Sequence, residues 1–335
     1  MRRRLIRIPL ILLVFPPLLS GIAGWLVGPS FLHPIRRELT ADLLREADAS
    51  LAVTGSRRED FNVRAPDGVL LRGWIARPPR PNGSWVLLFH GVADNRVGVI
   101  GQSEFLLRAG YSVVMMDARA HGASEGPMAT YGWLERNDTR AIIDALSQKL
   151  IGMTTFQPSL TTHTVRTTTD VGYTGWSHLY ALGESMGAGI ALQSAAVDSR
   201  IEAVVAEASF SSLREASYDY AGLRWSPLLG KTLFAPFSWT LIYRGQKLTG
   251  FPLSEVSPEK AVAARAFPVL LICDANDMAL PCRHTQGIYA AARGPKQIWV
   301  VPGAFHTAAL GFQPAEFQRR VLDFFANVSQ SARVQ

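Results

Sequence analysis

Ser185 stands in Gly183-Glu184-Ser185-Met186-Gly187, a G-x-S-x-G run that follows the apolar residues Leu179-Tyr180-Ala181-Leu182 and opens a stretch rich in Gly, Ala and Leu. A serine in a sharp strand-to-helix turn is exposed for attack on a carbonyl, and glycines two positions to either side leave room for that turn. The helix that follows would aim its first amides at the negative charge developing on the carbonyl oxygen. The bland alternative is a serine at an ordinary helix N-terminus. A hydroxyl nucleophile needs a base, and the base needs an orienting carboxylate. Of the seven histidines only His284 and His306 follow Ser185. His306 ends Val300-Val301-Pro302-Gly303-Ala304-Phe305-His306, on a loop beyond the last strand-like run, and is the expected base. His284 enters a helix, where a surface or helix-capping role is expected. Asp277 is the expected acid, because Met278-Ala279-Leu280-Pro281 carries its loop back into a helix. Asp274, beside the strand end, and Glu207, after Val204-Val205-Ala206, stand in reserve; the other use of such carboxylates is to bind loop backbone.

The oxyanion requires two donors. One is expected from the backbone N–H of Met186. The other is expected from Val92, where His90-Gly91-Val92 turns tightly after the apolar run 85–89. His90 is expected to be structural. Asp117-Ala118-Arg119-Ala120-His121-Gly122-Ala123-Ser124 follows another apolar run, and its polar groups are expected to hold neighbouring loops through Asp117 or Arg119.

These residues sit at the ends of a repeating pattern. Segments 61–64 and 69–75 flank Pro66-Asp67-Gly68 and read as a hairpin. Strand-like runs follow at 85–89, 112–116, 178–182, 203–206, 269–273 and 297–301. Helical periodicity appears at 102–109, 134–149, 186–197, 285–292 and 314–328. The alternation predicts an α/β fold, a mostly parallel sheet with helices on both faces, with ligands beyond the carboxyl ends of the strands. Two segments break the rhythm: a Thr-rich insertion at 151–176, and an aromatic-rich helical excursion at 210–264 that reads as a lid.

The chain has 335 residues, 48% hydrophobic and 18% charged, which excludes a disordered polypeptide. Its net charge of +7 suggests nucleic acid until the charge is located. Arg2, Arg3, Arg4 and Arg7 carry four of the seven, so no dense basic stripe remains and nucleic acid is not an expected partner. Residues 8–27 carry no charge and are rich in Leu and Ile, enough to span a bilayer's hydrocarbon core. The expected organisation is a basic start and membrane anchor over 1–35, a juxtamembrane helix and linker over 36–59, and a folded domain over 60–330. With the arginines cytoplasmic, that domain lies on the far side of the membrane. A cleaved signal peptide, with Gly21 and Ala23 as the small pair, and a buried soluble helix are the competing readings. Cys273 and Cys282 are the sole cysteines; two buried free thiols are the expected state, although outside the cytoplasm they could pair. No zinc-type spacing occurs, and neither a metal nor an organic cofactor is expected.

Taken in order, His90-Gly91, the 117–124 loop, the serine elbow, Asp277 and His306 resemble the α/β-hydrolase superfamily over residues 60–328. The likeness is to its monoacylglycerol-lipase-like, serine-aminopeptidase-like and membrane-anchored bacterial branch. The resemblance implies Ser185, Asp277 and His306 as a triad, Val92 and Met186 as oxyanion donors, and hydrolysis of a carboxylic ester or related acyl bond. A peptidase, amidase or acyltransferase of the same fold is the enzymatic alternative, and a non-catalytic membrane-tethered binding module the alternative of another class. The expected substrate is a small acyl ester of lipid-like character. Three features depart from the family pattern: Ala120 stands where Gly is usual, the insertion 151–176 where a short connection is usual, and Cys273-Asp274 where His-Gly is usual.

Overall fold

The computed structural model describes residues 2–155, 175–222, 224 and 226–334. Helix α1 (Arg2–Val27) leads through a short 3-10 turn to α2 (Ala41–Val53), then to strands β1 (Arg58–Arg64) and β2 (Leu70–Ala76). β3 (Trp85–Phe89), α3 (Ile100–Arg108), β4 (Ser112–Met116), α4 (Glu135–Thr155), β5 (Leu179–Glu184), α5 (Met186–Val197) and β6 (Ala203–Glu207) follow. Helices α6 (Leu213–Ala221), α7 (Pro227–Lys231), α8 (Ala235–Thr249) and α9 (Pro258–Ala264) separate β6 from β7 (Val269–Asp274). The chain closes with α10 (Arg283–Ala291), β8 (Lys296–Val301), α11 (Ala309–Phe312) and α12 (Pro314–Val334).

The strands form one sheet in the order β1-β2-β4-β3-β5-β6-β7-β8, antiparallel at β1, β2 and β4 and parallel from β4 onward. Successive side chains of a strand face opposite sides, and here both sides are apolar, as a sheet covered by helices requires. Val86, Leu88, Met115, Tyr180, Leu182 and Val205 pack with α2, α3 and α12. Leu87, Val114, Ala181, Val204, Leu271 and their neighbours pack with α4, α5, α9 and α10. The expected hairpin forms with Pro66-Asp67-Gly68 at its turn, where Gly68 takes φ +88°.

Segment 36–59, expected as a juxtamembrane helix and linker, holds a helix, and that helix packs on the body. Its helix α2 places Ala47 and Leu51 fully inside the core on one face of the sheet. The amphipathic stripe read as juxtamembrane is the stripe that the sheet buries. Of the Thr-rich insertion, α4 takes in the first residues up to Thr155, and 156–174 lie outside the described residues. The aromatic excursion forms α6, α7 and α8, which stand over the carboxyl ends of β5 and β6, whereas α9 packs back on α5.

Candidate active site

β5 extends through Gly183 and Glu184, and α5 opens at Met186, so Ser185 alone makes the turn between them. Its backbone has φ 53° and ψ −118°, a region that costs an ordinary residue about 1–3 kcal/mol. Packing holds it there. A β-carbon on Gly183 would lie 2.5 Å from the Gly187 carbonyl carbon, and one on Gly187 would collide with the Phe89 carbonyl, so both glycines are needed where helix and strand cross. The Ser185 N–H donates to the Glu207 carbonyl at 2.9 Å, which ties the elbow to the end of β6.

The Ser185 hydroxyl lies 2.9 Å from His306 Nε2, and His306 Nδ1 lies 2.6 Å from Asp277 Oδ2. Asp277 is fixed from below: its Oδ1 accepts the N–H of Ala279 at 2.7 Å and of Leu280 at 2.8 Å. The loops bearing Asp277 and His306 are joined to each other, with Ala275 N–H donating to the Val301 carbonyl and Asn276 N–H to the Ala304 carbonyl. The expected base and acid thus reach the serine from two separate β-to-α connections. His306 is partly open to solvent and the Asp277 carboxylate is buried. An Nδ1–H tautomer of His306 donates to Asp277 and leaves Nε2 to accept the serine proton.

The two reserve acids do other work. Asp274 Oδ2 accepts the N–H of Thr307, and Glu207 Oε1 accepts the N–H of Ala309, each at 2.9 Å. Both carboxyls therefore hold the loop that carries His306 and neither binds its ring. Burial and the neighbouring Asp274 raise the Glu207 pKa well above the ordinary carboxylate range, and burial raises that of Asp274. A third buried carboxyl, Glu184, receives Gln102 Nε2 at 3.1 Å and the Gly91 N–H, and burial pushes it up to about 8. Glu184 gives no periodicity or motif signal of a role; its place beside Gly91 makes it a positioning group for the turn at Val92.

Around that turn, His90 donates from Nδ1 to the Gly91 carbonyl at 2.7 Å and accepts the Ala118 N–H at Nε2, 3.0 Å away. Burial lowers its pKa, so it is a neutral structural ring. Asp117 accepts from the Arg96 guanidinium at 2.8 Å and from the Ala123 N–H at 2.7 Å, while Arg119 makes a two-point pair with Asp138 and a bond to Asp67. Ala120 adopts φ 61°, the left-handed conformation that explains why glycine is usual at this place. The N–H of Met186 belongs to the first turn of α5 and lacks an intrahelical acceptor. Met186 and Val92 line one cavity with Ser185 and His306, of about 530 Å³. Its other walls are mostly apolar side chains such as Phe31, Phe210, Leu213 and Leu241, and among the described residues no Asp, Glu, Lys or Arg lines it.

Two expectations are corrected here. Cys273 and Cys282 are joined in a disulfide, with Cα atoms 5.4 Å apart, in the range that a bridge requires. The return of the 274–281 loop to α10 brings the two together, which the expectation of free thiols overlooked. His284 is neither on the surface nor a cap. It is fully buried, with Nε2 2.7 Å from Asp219 Oδ2 and Nδ1 accepting the Ser211 N–H. Among the described residues no cluster of three or more His, Cys, Asp or Glu is placed to hold a metal ion.

Comparison with known proteins bears on the fold. Residues 84–224 match the family described as alpha/beta hydrolase fold. The chain is 26% identical to the uncharacterized protein YqkD of Bacillus subtilis over 96% of this chain and 98% of that protein. The Pyrococcus furiosus esterase Pf2001 superposes with a TM-score of 0.63 at 21% identity, covering 88% of this chain and 99% of the esterase. A Pyrococcus horikoshii acylaminoacyl peptidase superposes with a TM-score of 0.57 at 15% identity, over 81% of this chain and 41% of the peptidase. The chain has the α/β-hydrolase fold, which it shares with this esterase and this peptidase.

Proposed function

We propose that the protein is a serine hydrolase that cleaves a carboxylic ester through an acyl-enzyme. The observation that carries this reading is the hydrogen-bonded chain from Ser185 through His306 to Asp277, at 2.9 and 2.6 Å. Ser185 Oγ attacks the ester carbonyl as His306 Nε2 takes its proton, and Asp277 stabilises the imidazolium. The N–H groups of Met186 and Val92 receive the oxyanion. The tetrahedral adduct expels the alcohol, protonated by His306, and water then attacks the acyl-Ser185 ester by the same path. A fluorophosphonate probe tests the assignment: the wild type should be labelled and Ser185→Ala should not, and labelling of the variant or none of the wild type sinks it.

The charge-free lining of the cavity supports an apolar acyl group over a free amino acid, whose ammonium would need a carboxylate partner. A nitrophenyl ester series should peak above acetate, and activity on amino-acid amides with none on esters would favour the peptidase reading.

We further propose that α1 anchors the enzyme in a membrane with residues 1–7 cytoplasmic. Residues 8–27 of α1 carry no charge and as a helix cover about 30 Å, long enough to span. The disulfide supports an oxidising, extracytoplasmic location for the body. A C-terminal reporter fusion that is active only in the cytoplasm would overturn this topology.

A further inference from the structure

The anchor and the lid are packed as one unit. α8 runs parallel to α1, with Pro236 beside Gly21, Phe237 and Thr240 beside Gly24, and Leu241 and Arg244 beside Gly28. A β-carbon on Gly24 would collide with the Phe237 carbonyl, so the backbones touch, as they do where small residues line a helix pair. Thr240 Oγ1 donates to the Gly21 carbonyl at 2.7 Å, Arg244 donates to the Trp25 carbonyl, and Trp25 and Tyr243 have ring centroids 6.4 Å apart. Past α1 the chain stays in the body: Leu32 is fully buried among Phe210, Leu241 and Leu253, and the Tyr131 hydroxyl donates to the Phe31 carbonyl at 2.7 Å. Val27 and Phe31 then line the cavity that holds Ser185.

The opposite side of this pair is apolar and open. Trp239 is 57% exposed, Tyr243 52% and Leu228, on α7, 70%, and Leu18, Ile22 and Leu26 of α1 are exposed as well. The groove between the helices is lined by Pro17, Leu18, Ile22 and Pro236 among others, and none of its described lining residues is charged. Pro236 lies level with Gly21, thirteen residues along the charge-free segment that begins at Ile8, or about 20 Å at 1.5 Å per residue and so past its midpoint toward the body. The C-terminal end of α8 carries Arg244 and Lys247, the cations expected at a headgroup boundary, with Trp25 and Tyr243 as its aromatic belt.

We infer that α1, α7 and α8 enter the bilayer together, with α7 and α8 in the half next to the hydrolase body, and that the substrate is a bilayer-resident acyl ester. Its chain passes from the lipid along this unit into the cavity, where Val27 and Phe31 of the anchor seat it against Ser185. The inference rests on the serine-hydrolase reading and names the substrate class and the surface that presents it. The anchor is then a wall of the acyl site as well as a tether.

The test uses the full chain in phosphatidylcholine vesicles with two nitrophenyl esters, a water-soluble butyrate and a vesicle-resident palmitate. Gly24→Leu, which wedges α1 from α8, is expected to cut palmitate hydrolysis by about tenfold and to leave butyrate within about twofold. Fluorophosphonate labelling at the wild-type rate reports that the body is intact. Equal loss on both esters with labelling retained, or loss on neither, overturns the inference. If Gly24→Leu does not fold, Trp239→Asp replaces it, with the same split expected. Independently of turnover, lipids brominated on the acyl chain should quench wild-type fluorescence more than that of Trp239→Phe. Equal quenching places the lid outside the bilayer and also overturns the inference. A wild type that takes no label and cleaves neither ester defeats the serine-hydrolase reading instead.

Discussion

Ser185, His306 and Asp277 share their residue types with a second grouping, Ser211, His284 and Asp219. There the Ser211 hydroxyl lies 3.0 Å from His284 Nδ1, and His284 Nε2 lies 2.7 Å from Asp219 Oδ2. The pairwise distances match those of the first grouping to about 0.1 Å, with the two ring nitrogens exchanged; the surroundings differ. His284 is fully buried, and its Nδ1 also accepts the Ser211 N–H at 3.2 Å. Burial pushes the Asp219 carboxyl up, but hydrogen bonds from His284 and Arg283 outweigh it and hold the group below its ordinary value. Ser211 has no left-handed backbone, whereas Ser185 is held at φ 53° over a cavity beside the first amides of a helix. A Ser-His-Asp arrangement becomes a candidate catalyst through access and a prepared place for the oxyanion. Without those it is a buried polar joint, which here fastens α6 to α10.

Exchanging the serines gives the widest separation. Ser185→Ala is expected to lower kcat by about 10⁶-fold. Ser211→Ala should leave kcat within about twofold and cost about 1 kcal/mol in urea unfolding. If Ser211→Ala lost activity as Ser185→Ala does, the assignment of the two groupings would be wrong. The acids come next. Asp277→Asn should reduce kcat by about 10⁴-fold at near-normal stability. Asp219→Asn leaves buried His284 without its carboxylate and Arg283 with Glu215 alone, and should destabilise by about 3 kcal/mol, with the folded fraction retaining its kcat. Similar kcat losses in both variants would erase the contrast.

The smallest expected effect concerns Glu184. Its pKa, raised by burial to about 8 from an ordinary 4.5, means that the native state holds a proton that the unfolded chain has released between those values. The stability associated with that proton is present below about pH 4.5 and lost as pH rises through about 8. Glu184→Gln should flatten that decline in a series of melting temperatures between pH 5 and 8. An unchanged slope would show that Glu184 is not the group responsible.

The serine elbow was readable in the sequence because everything that shapes it is local: an apolar strand, a G-x-S-x-G turn and a Gly- and Ala-rich helix. The strands at 85–89 and 112–116 were legible to the residue for the same reason, since continuous apolar runs bounded by polar loops mark buried strands. Local signals failed where two distant segments had to meet. Nothing near His284 announces Asp219, 65 residues upstream. The stripe of α2 shows an apolar face without showing what covers it.

Sequence alone thus determined the order of strands and helices, the position of the elbow and an apolar N-terminal segment long enough to span a bilayer. Tertiary structure decided which of three carboxylates faces His306, because Asp274 and Glu207 are captured by the N–H groups of Thr307 and Ala309 while the turn at 274–277 swings Asp277 onto the ring. It also decided that the cysteines pair, that His284 is buried, and that α1 packs along α8 and lines the cavity through Val27. Each of these is a contact between segments far apart in the chain, fixed by which faces the sheet brings together.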